Sequence, residues 1–232
     1  MKIMTFNIQH CMVYKKKNID FKLFADTISR FSPDLVSLNE VRNESADAEY
    51  DNQPEILSGL TGLKYHCFAE TLKFDGLNPY GNAILSKYPI LKTEIIPIPD
   101  PEVRQYSRYY ETRNILKVKL DCGLTVLVTH WGLNRDEQIN AQKTVLKNLE
   151  KERCLLMGDF NVVHTCDLLE PIRERMRDTA ELFAEPLLSF PSDNPREKRD
   201  YIFATRDIKV TYADIPPVSV SDHRPYIADI QL

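Results

Sequence analysis

The chain contains 232 residues, of which 43% are hydrophobic and 28% are charged, and its formal net charge is −4. These values are typical of a globular protein with enough apolar side chains for a large core. The acidic balance disfavours a protein that coats a nucleic-acid backbone, and no apolar run approaches membrane-spanning length.

We expect one domain over residues 1–232, because no low-complexity or linker-like segment divides the chain. The start lacks the apolar core of a signal peptide, so we expect a cytoplasmic location, and no obligatory protein partner is evident. The five cysteines are an odd number without a C-x-x-C pair, which favours buried thiols over disulfides. His10-Cys11 and His164-x-Cys166 lack a second half at zinc spacing.

Residues 2–40 predict a strand, a helix and a second strand. Alternating side chains over 2–8 end near Asn7, apolar residues at helical spacing occupy 19–31, and the run 34–40 ends at Glu40. If the two strands are parallel, Asn7 and Glu40 are neighbours at one edge of a sheet. Each residue also has a simpler interpretation, Asn7 as a turn former and Glu40 as the first residue of a solvated loop.

The middle of the chain is less regular. Its predicted elements are a polar loop over 42–53, a short helix after Pro54, strands at 63–69 and 82–86, and a surface loop at 74–81 between these strands. The Arg and Tyr residues of 104–110 favour contacts with phosphate and with flat groups, although Tyr-rich strand edges have the same composition.

A second strand-helix-strand unit follows. Strands at 114–120 and 124–129 form a predicted hairpin that delivers His130, a helix covers 134–149, and the strand from Cys154 ends in Gly158-Asp159-Phe160-Asn161. After short helices and loops up to 199, we predict strands at 200–203, 208–215 and 225–232.

Polar side chains with useful chemistry recur at these strand ends: Asn7, Glu40, His130, Asp159, Asn161, Asp200, Asp222 and His223. Ligands collect beyond strand ends in layered sheets, and converging carboxylates repel each other unless a cation neutralises them. Oxygen ligands suit Mg²⁺ or Mn²⁺. Without a Gly-rich phosphate loop or a serine elbow, the set indicates metal-assisted attack of water on phosphorus.

The chain resembles the endonuclease/exonuclease/phosphatase superfamily in motifs that occur in the family's order along nearly its whole length: Phe6-Asn7, Asn39-Glu40, Gly81-Asn82-Ala83-Ile84-Leu85-Ser86, Thr129-His130, Gly158-Asp159-Phe160-Asn161, Asp200-Tyr201-Ile202-Phe203 and Ser221-Asp222-His223-Arg224-Pro225. The resemblance implies a four-layered α/β sandwich, with two mixed β-sheets face to face and helices on the outside.

The resemblance also implies roles for individual residues. The implied metal ligands for Mg²⁺ or Mn²⁺ are Asn7, Glu40 and Asp222; the implied catalytic residues are His130, Asp159, Asn161, Asp200 and His223; the implied substrate contacts are Arg113, Asn82 and Asn134. His130 is expected to contact the phosphate or to donate a proton to the leaving oxygen. Asn82 and Asn134 have turn formation or helix capping as alternative roles.

The resemblance predicts a metal-dependent hydrolase of phosphoric esters, whose substrate must be recognised by the loops. We expect a phosphodiesterase or phosphatase, with a DNA or RNA nuclease as the alternative and a non-catalytic phosphate-binding module as a remote one. The module is disfavoured because every polar position of the motifs is filled. No membrane partner is expected.

Overall fold

Two mixed six-stranded β-sheets lie face to face in the computed structural model, which describes residues 1–44, 51–182 and 187–232. The first sheet has the order β11-β12-β1-β2-β4-β3. Its strands are β1 (Lys2–Asn7), β2 (Leu35–Arg42), β3 (Tyr65–Phe74), β4 (Asn78–Ser86), β11 (Lys209–Asp214) and β12 (Tyr226–Gln231).

The second sheet repeats the plan of the first in the order β5-β6-β7-β8-β10-β9. Its strands are β5 (Ile90–Ile98), β6 (Arg113–Leu120), β7 (Thr125–His130), β8 (Cys154–Asp159), β9 (Met176–Asp178) and β10 (Asp200–Thr205). Each sheet contains one parallel pair, β1 with β2 and β7 with β8, and the other strand pairs are antiparallel. The predicted crossover units and the four-layered sandwich are therefore confirmed.

The helices cover the outer faces of the sheets. They are α1 (Phe21–Arg30), α2 (Gln53–Thr61), α3 (Arg135–Asn148) and the short α4 (Glu170–Arg173). Asp20 begins α1 by accepting a 2.9 Å hydrogen bond from the Leu23 N–H, the usual N-cap arrangement. In the described part of the chain, no helix is long and apolar enough to cross a membrane.

Three apolar clusters hold the layers together. Ile3, Leu116 and Leu155 belong to the cluster between the two sheets, where β-branched and leucine side chains interdigitate. Phe24 of α1 packs against the outer face of the first sheet, and Val145 of α3 packs against the outer face of the second. Burial on both faces explains why the central strands are continuous apolar runs rather than alternating ones.

The surface loop predicted at 74–81 is wrong. The strands β3 and β4 extend to Phe74 and from Asn78, so that only three residues remain as the turn. The Phe74 and Tyr80 rings pack edge to face with 5.2 Å between centroids, and this contact extends the hairpin through a segment rich in turn-forming residues.

Two strands were not predicted, namely β5 and β9. Both lie at edges of the second sheet, where little apolar patterning is needed for pairing. The polar loop predicted over 42–53 is shorter than expected, because β2 includes Arg42 and α2 begins at Gln53. Residues 45–50 of that loop, and residues 183–186 of the segment predicted as short helices and loops, lie outside the described residues.

Candidate active site

The polar strand ends of both sheets meet around one cavity. Asn7 at the end of β1 joins the sheets, because its Nδ2 donates to Glu40 Oε1 at 2.9 Å and to Asp159 Oδ2 at 3.1 Å. The cavity has a volume of about 330 Å³. Its walls combine residues predicted for the site with others: His10, Glu40, Phe74, Tyr80, Tyr109, Glu111, Arg113, His130, Leu133, Asp159, Asn161, Phe190, Arg199, Asp222 and His223.

Strand register explains why residues so distant in sequence converge. In the parallel pairs, Asn7 lies beside Asn39, and His130 lies beside Asp159. Asp200 begins its strand rather than ending one, but β10 is antiparallel to β8 and therefore places Asp200 opposite Asp159. All these side chains consequently reach the same edge of the sandwich.

A β-bulge turns Glu40 towards the cavity. Asn39 and Glu40 together face the single residue Asn82 of β4, because the pairing shifts between Leu38 and Val41. Glu40 has a φ of 57°, and Asn161 has a φ of 50°. A positive φ is costly for residues other than glycine, by about 1–3 kcal/mol each, and such strain is characteristic of functional sites.

Gly158 is required by the close approach of β7. A Cβ atom at this position would lie 1.9 Å from the Thr129 carbonyl oxygen, and the φ of Gly158 is 140°. No L-residue with a side chain fits this contact and this conformation without moving the strand that carries Asp159.

Buried amides beneath the cavity fix the two sheets relative to each other. Asn39 accepts a hydrogen bond from the Asp159 N–H at 2.9 Å and donates to Thr129 O at 3.0 Å and to Asn82 Oδ1 at 2.7 Å. Asn82 in turn donates to Asn114 Oδ1 at 3.3 Å. Glu40, the neighbour of Asn39 in the chain, is thereby held at a defined position relative to Asp159.

The Asp159 carboxylate lies between the two imidazole rings. Its Oδ2 is 3.5 Å from Nε2 of His130 and 3.5 Å from Nε2 of His223, and its Oδ1 accepts a hydrogen bond from the Asn161 N–H at 2.9 Å. Burial raises the pKa of Asp159 above the usual range of an aspartate, although His223 opposes this effect. The carboxylate is therefore more basic than one exposed to water.

His223 is paired with Asp200. Its Nδ1 lies 2.8 Å from Asp200 Oδ2, and the Phe190 ring packs on the imidazole with 4.8 Å between centroids. Burial alone would lower the pKa of His223, but the Asp200 and Asp159 carboxylates outweigh burial and raise this pKa to about 10. His223 is therefore an imidazolium at neutral pH, with a donor on each side of the ring.

His130 is uncharged, unlike His223, because it is buried and its neighbour is a cation. Arg113 Nη1 lies 3.2 Å from His130 Nδ1. Burial, then Arg113 and His223, lower the pKa of His130 well below its usual range. One neutral and one charged imidazole thus flank the same carboxylate.

Glu40 and Asp222 form an acidic part of the cavity. Burial, followed by repulsion from Asp222, raises the pKa of Glu40 to about 7. Asp222 is oriented by Ser221 Oγ at 3.1 Å and by Gln9 Nε2 at 3.4 Å. A cation placed here would remove the repulsion that raises the pKa of Glu40, so the donors fit a hard divalent ion.

Asp159, Asp200 and His223 also form a candidate metal site, to which His223 could contribute a ligand only as the neutral imidazole. One possible ligand atom from each of these buried residues lies within 4.8 Å of the others. Among the described residues, no hydrogen-bond donor contacts the buried Asp200 Oδ1, so this oxygen is available to a cation. Asn7 presents its amide nitrogen to the carboxylates while its Oδ1 accepts from the Gln9 N–H at 3.2 Å, so this amide would have to turn over in order to ligate a cation.

The predicted substrate contacts have mixed placements. Arg113 lines the cavity, whereas Asn82 and Asn134 are absent from its walls. Asn134 precedes α3 and forms a capping box with Glu137, whose Oε2 accepts from the Asn134 N–H at 3.1 Å. Sequence patterns gave no role to Asn39 or Glu111, because nothing local to either residue indicates a partner on the opposite sheet or on a neighbouring strand.

The fold is a two-sheet α/β sandwich whose strand ends gather carboxylates and imidazoles around a buried candidate metal site. This combination is characteristic of phosphoesterases. The profile of the endonuclease/exonuclease/phosphatase family matches residues 4–223, and the chain therefore belongs to this family. Members of the family are generally metal-dependent phosphoester hydrolases. No curated protein is significantly similar to the chain.

Solved structures share the fold at low sequence identity. An endonuclease/exonuclease/phosphatase from Beutenbergia cavernae is 23% identical with a TM-score of 0.80, and the match covers 100% of this chain and 71% of that one. A family protein from Leptotrichia buccalis is 20% identical with a TM-score of 0.77 and full coverage of both chains. A mannosyl-6-phosphatase from Bacteroides thetaiotaomicron is 12% identical with a TM-score of 0.73, again over 100% of both chains.

Proposed function

We propose that the protein is a Mg²⁺-dependent hydrolase of phosphoric esters, in which water attacks phosphorus. The observation that carries this proposal is the position of Asp159, whose Oδ2 lies 3.5 Å from the imidazoles of both His130 and His223 in one cavity. A buried base flanked by two hydrogen-bonding rings is what activation of water beside a phosphate requires.

Asp159 is the proposed base. Its raised pKa improves its ability to remove a proton from water, while its hydrogen bond from the Asn161 N–H fixes the carboxylate plane. Asn161 also directs its Nδ2 towards Trp131 O at 3.0 Å, and this contact locks the amide at the cavity wall. A locked amide holds the water or a phosphate oxygen without reorganisation during the reaction.

His223 is the proposed electrostatic contact to the phosphate. The imidazolium is held by Asp200 through Nδ1, so its Nε2–H can donate a hydrogen bond to a non-bridging oxygen on which negative charge develops. Asp200 fixes the ring orientation and maintains its charge, the role that a carboxylate partner serves for a catalytic imidazole.

Glu40 and Asp222 would hold Mg²⁺, with the amide oxygen of Asn7 if that amide turns over. When bound, Mg²⁺ would supply Lewis-acid stabilisation of charge on the phosphate and leaving oxygens. Mn²⁺ has similar ligand preferences and is expected to substitute. The raised pKa of Glu40 supports this assignment, because burial and the neighbouring Asp222 both disfavour a negative charge that a cation would neutralise.

The test is hydrolysis of a panel of esters: bis-p-nitrophenyl phosphate, sugar phosphates, inositol phosphates, single-stranded DNA, abasic DNA and RNA. We expect hydrolysis of at least one ester that EDTA abolishes and Mg²⁺ restores. Asp159→Asn should lower kcat by about 10²–10⁴-fold, whereas Asp121→Asn, at an exposed turn between β6 and β7, should not.

Two results would reject the proposal. The first is activity that survives exhaustive chelation, and the second is an Asp159→Asn variant with the wild-type rate and unchanged melting temperature. Preference for an oligonucleotide, with affinity that falls steeply with salt, would identify the enzyme as a nuclease. No hydrolysis of any ester, with phosphate binding retained, would indicate the binding module instead.

A further inference from the structure

Arg113 contacts His130 on the Nδ1 side of the ring, and both side chains line the cavity. Arg113 Nη1 lies 3.2 Å from His130 Nδ1, and the two side chains have only 6% and 4% of their surface exposed. A guanidinium has five N–H donors and no acceptor, so His130 Nδ1 must offer its lone pair to this contact. A proton on Nδ1 would instead face the arginine's own hydrogens.

The surroundings of Nε2 complete the assignment. Asp159 Oδ2 lies 3.5 Å from Nε2 and can accept, and Asn161 Nδ2 lies 3.1 Å away. The Asn161 amide is oriented by Trp131 O, a carbonyl that can only accept. A donor therefore faces each ring nitrogen, but if both ring nitrogens accepted, the ring would be an imidazolate. Charge decides between them: the guanidinium of Arg113 lies at Nδ1 and the carboxylate of Asp159 lies 3.5 Å from Nε2, so the proton of the neutral ring belongs on Nε2.

Arg113 is itself firmly held. Glu111 forms an ion pair with its Nη2, and the Tyr80 hydroxyl hydrogen-bonds to the guanidinium. Tyr80 has 5% of its surface exposed, and the Glu111 side chain has 16%. With these partners on the guanidinium, Arg113 has limited freedom to turn towards a substrate, although it lines the cavity.

We propose that Arg113 is a positioning residue that fixes His130 as the neutral Nε2–H tautomer, so that His130 donates a hydrogen bond to a phosphoryl oxygen of the substrate. The other tautomer would direct a lone pair at Asp159 and at the phosphate, both of which are negative. A neutral Nε2–H ring is also a poor proton donor, because losing that proton leaves an imidazolate. His130 is thus a phosphate contact and not the acid for the leaving group.

The tautomer can be measured directly in the metal-free, substrate-free protein. Two-bond ¹H–¹⁵N correlation spectra of histidine-labelled protein distinguish the Nδ1–H, Nε2–H and imidazolium forms, and the chain has only five histidines. His130→Gln assigns the signals by their loss. We expect the Nε2–H form of His130 in the wild type at pH 7.5, a measurement that needs no variant of Arg113.

Arg113→Met removes the donor at similar side-chain volume. We expect a mixture of His130 tautomers, a kcat lowered by about 10- to 100-fold and a KM within about 2-fold of the wild type. Glu111→Gln, which keeps the arginine but loosens it, should shift the tautomers in the same direction to a smaller extent. The matched control is Arg199→Met, at another arginine of the cavity wall, which packs on Phe190 and should leave the His130 tautomer unchanged.

Several outcomes overturn the inference. An Nδ1–H or imidazolium signal for His130 in the wild type contradicts it, and so does an Arg113→Met protein that folds and retains pure Nε2–H. A raised KM with unchanged kcat would make Arg113 a direct phosphate contact. The kinetic consequence rests on the proposed function, but the tautomer does not. A protein without esterase activity that still shows the Nε2–H form would therefore reject the function and the hydrogen bond to substrate, and leave the Arg113 contact established.

Discussion

Glu40→Gln is expected to stabilise the metal-free protein at neutral and alkaline pH. The pKa of Glu40 rises from 4.5 in the unfolded chain to about 7 in the folded protein, chiefly because the carboxylate is buried and faces Asp222. At about 1.4 kcal/mol for each tenfold change in proton affinity, this difference corresponds to at most about 3.5 kcal/mol. Since the side chain is partly hydrated by the cavity, we expect the substitution to raise the free energy of unfolding by about 2–3 kcal/mol.

The direction of the change in stability with pH follows from the raised pKa of Glu40. Below pH 4.5 Glu40 is protonated in both states, so its ionisation costs the folded state nothing. Between pH 4.5 and 7 the unfolded chain ionises first, and stability is lost as the pH rises through this window. Glutamine resembles the protonated glutamate and can still accept the hydrogen bond from Asn7, so the variant escapes this loss.

Urea unfolding in EDTA measures the effect. Glu40→Gln should match the wild type near pH 4.5 and exceed it by about 2–3 kcal/mol at pH 8, which corresponds to a melting temperature higher by about 5–10 °C. Glu152→Gln, at an exposed glutamate before β8, controls for the removal of any one carboxylate. An equal or lower free energy of unfolding for Glu40→Gln at pH 8 would refute the burial and repulsion inferred for this site.

Three further substitutions test how the site is built. Asn39→Leu should lower the free energy of unfolding by about 2–4 kcal/mol, because the buried amide network loses its centre; a urea midpoint like that of the wild type would exclude the network's role. Gly158→Ala should lower the free energy of unfolding by at least about 3 kcal/mol, because its Cβ would lie 1.9 Å from the backbone of β7. The control Gly59→Ala, in open space within α2, should leave this free energy unchanged or raise it by up to about 1 kcal/mol. Equal thermal unfolding of the two variants would contradict the close approach. Tyr109→Ala should lower kcat/KM for esters with flat groups by about 2- to 10-fold, because stacking at the cavity rim is lost. The control Tyr106→Ala, on the same loop but outside the cavity wall, should leave kcat/KM unchanged. Equal effects of the two substitutions on kcat/KM would exclude a role of Tyr109 in substrate recognition.

The sequence predicted the layered architecture because the patterns it uses are local. Apolar runs of strand length, helices with an apolar face and a polar residue at the end of each strand are properties of short segments. The two parallel pairs that bring Asn7 to Asn39 and His130 to Asp159 follow from the crossover rule and are confirmed.

Local patterns failed where a contact from elsewhere in the chain overrides them. The turn-forming residues of 74–81 indicated a surface loop, but the packing of Phe74 on Tyr80 extends the hairpin through them. Asn134 was predicted as a substrate contact or a cap, and its capping box with Glu137 shows the cap. The edge strand β9 has only three residues, and β5 is mostly exposed, contains Pro97 and lacks a regular alternation of apolar side chains, so neither is recognised before its partner is known.

The sequence by itself determined which chemical groups are available and that they gather at one edge of two sheets, because strand order and period are encoded segment by segment. Only the tertiary structure decided the charge of each group. His130 and His223 are the same residue type, yet one faces Arg113 and the other faces Asp200, so one is neutral and the other is an imidazolium. Proton affinity depends on nearby groups, and those groups are up to 183 residues apart along the chain, as between Glu40 and His223.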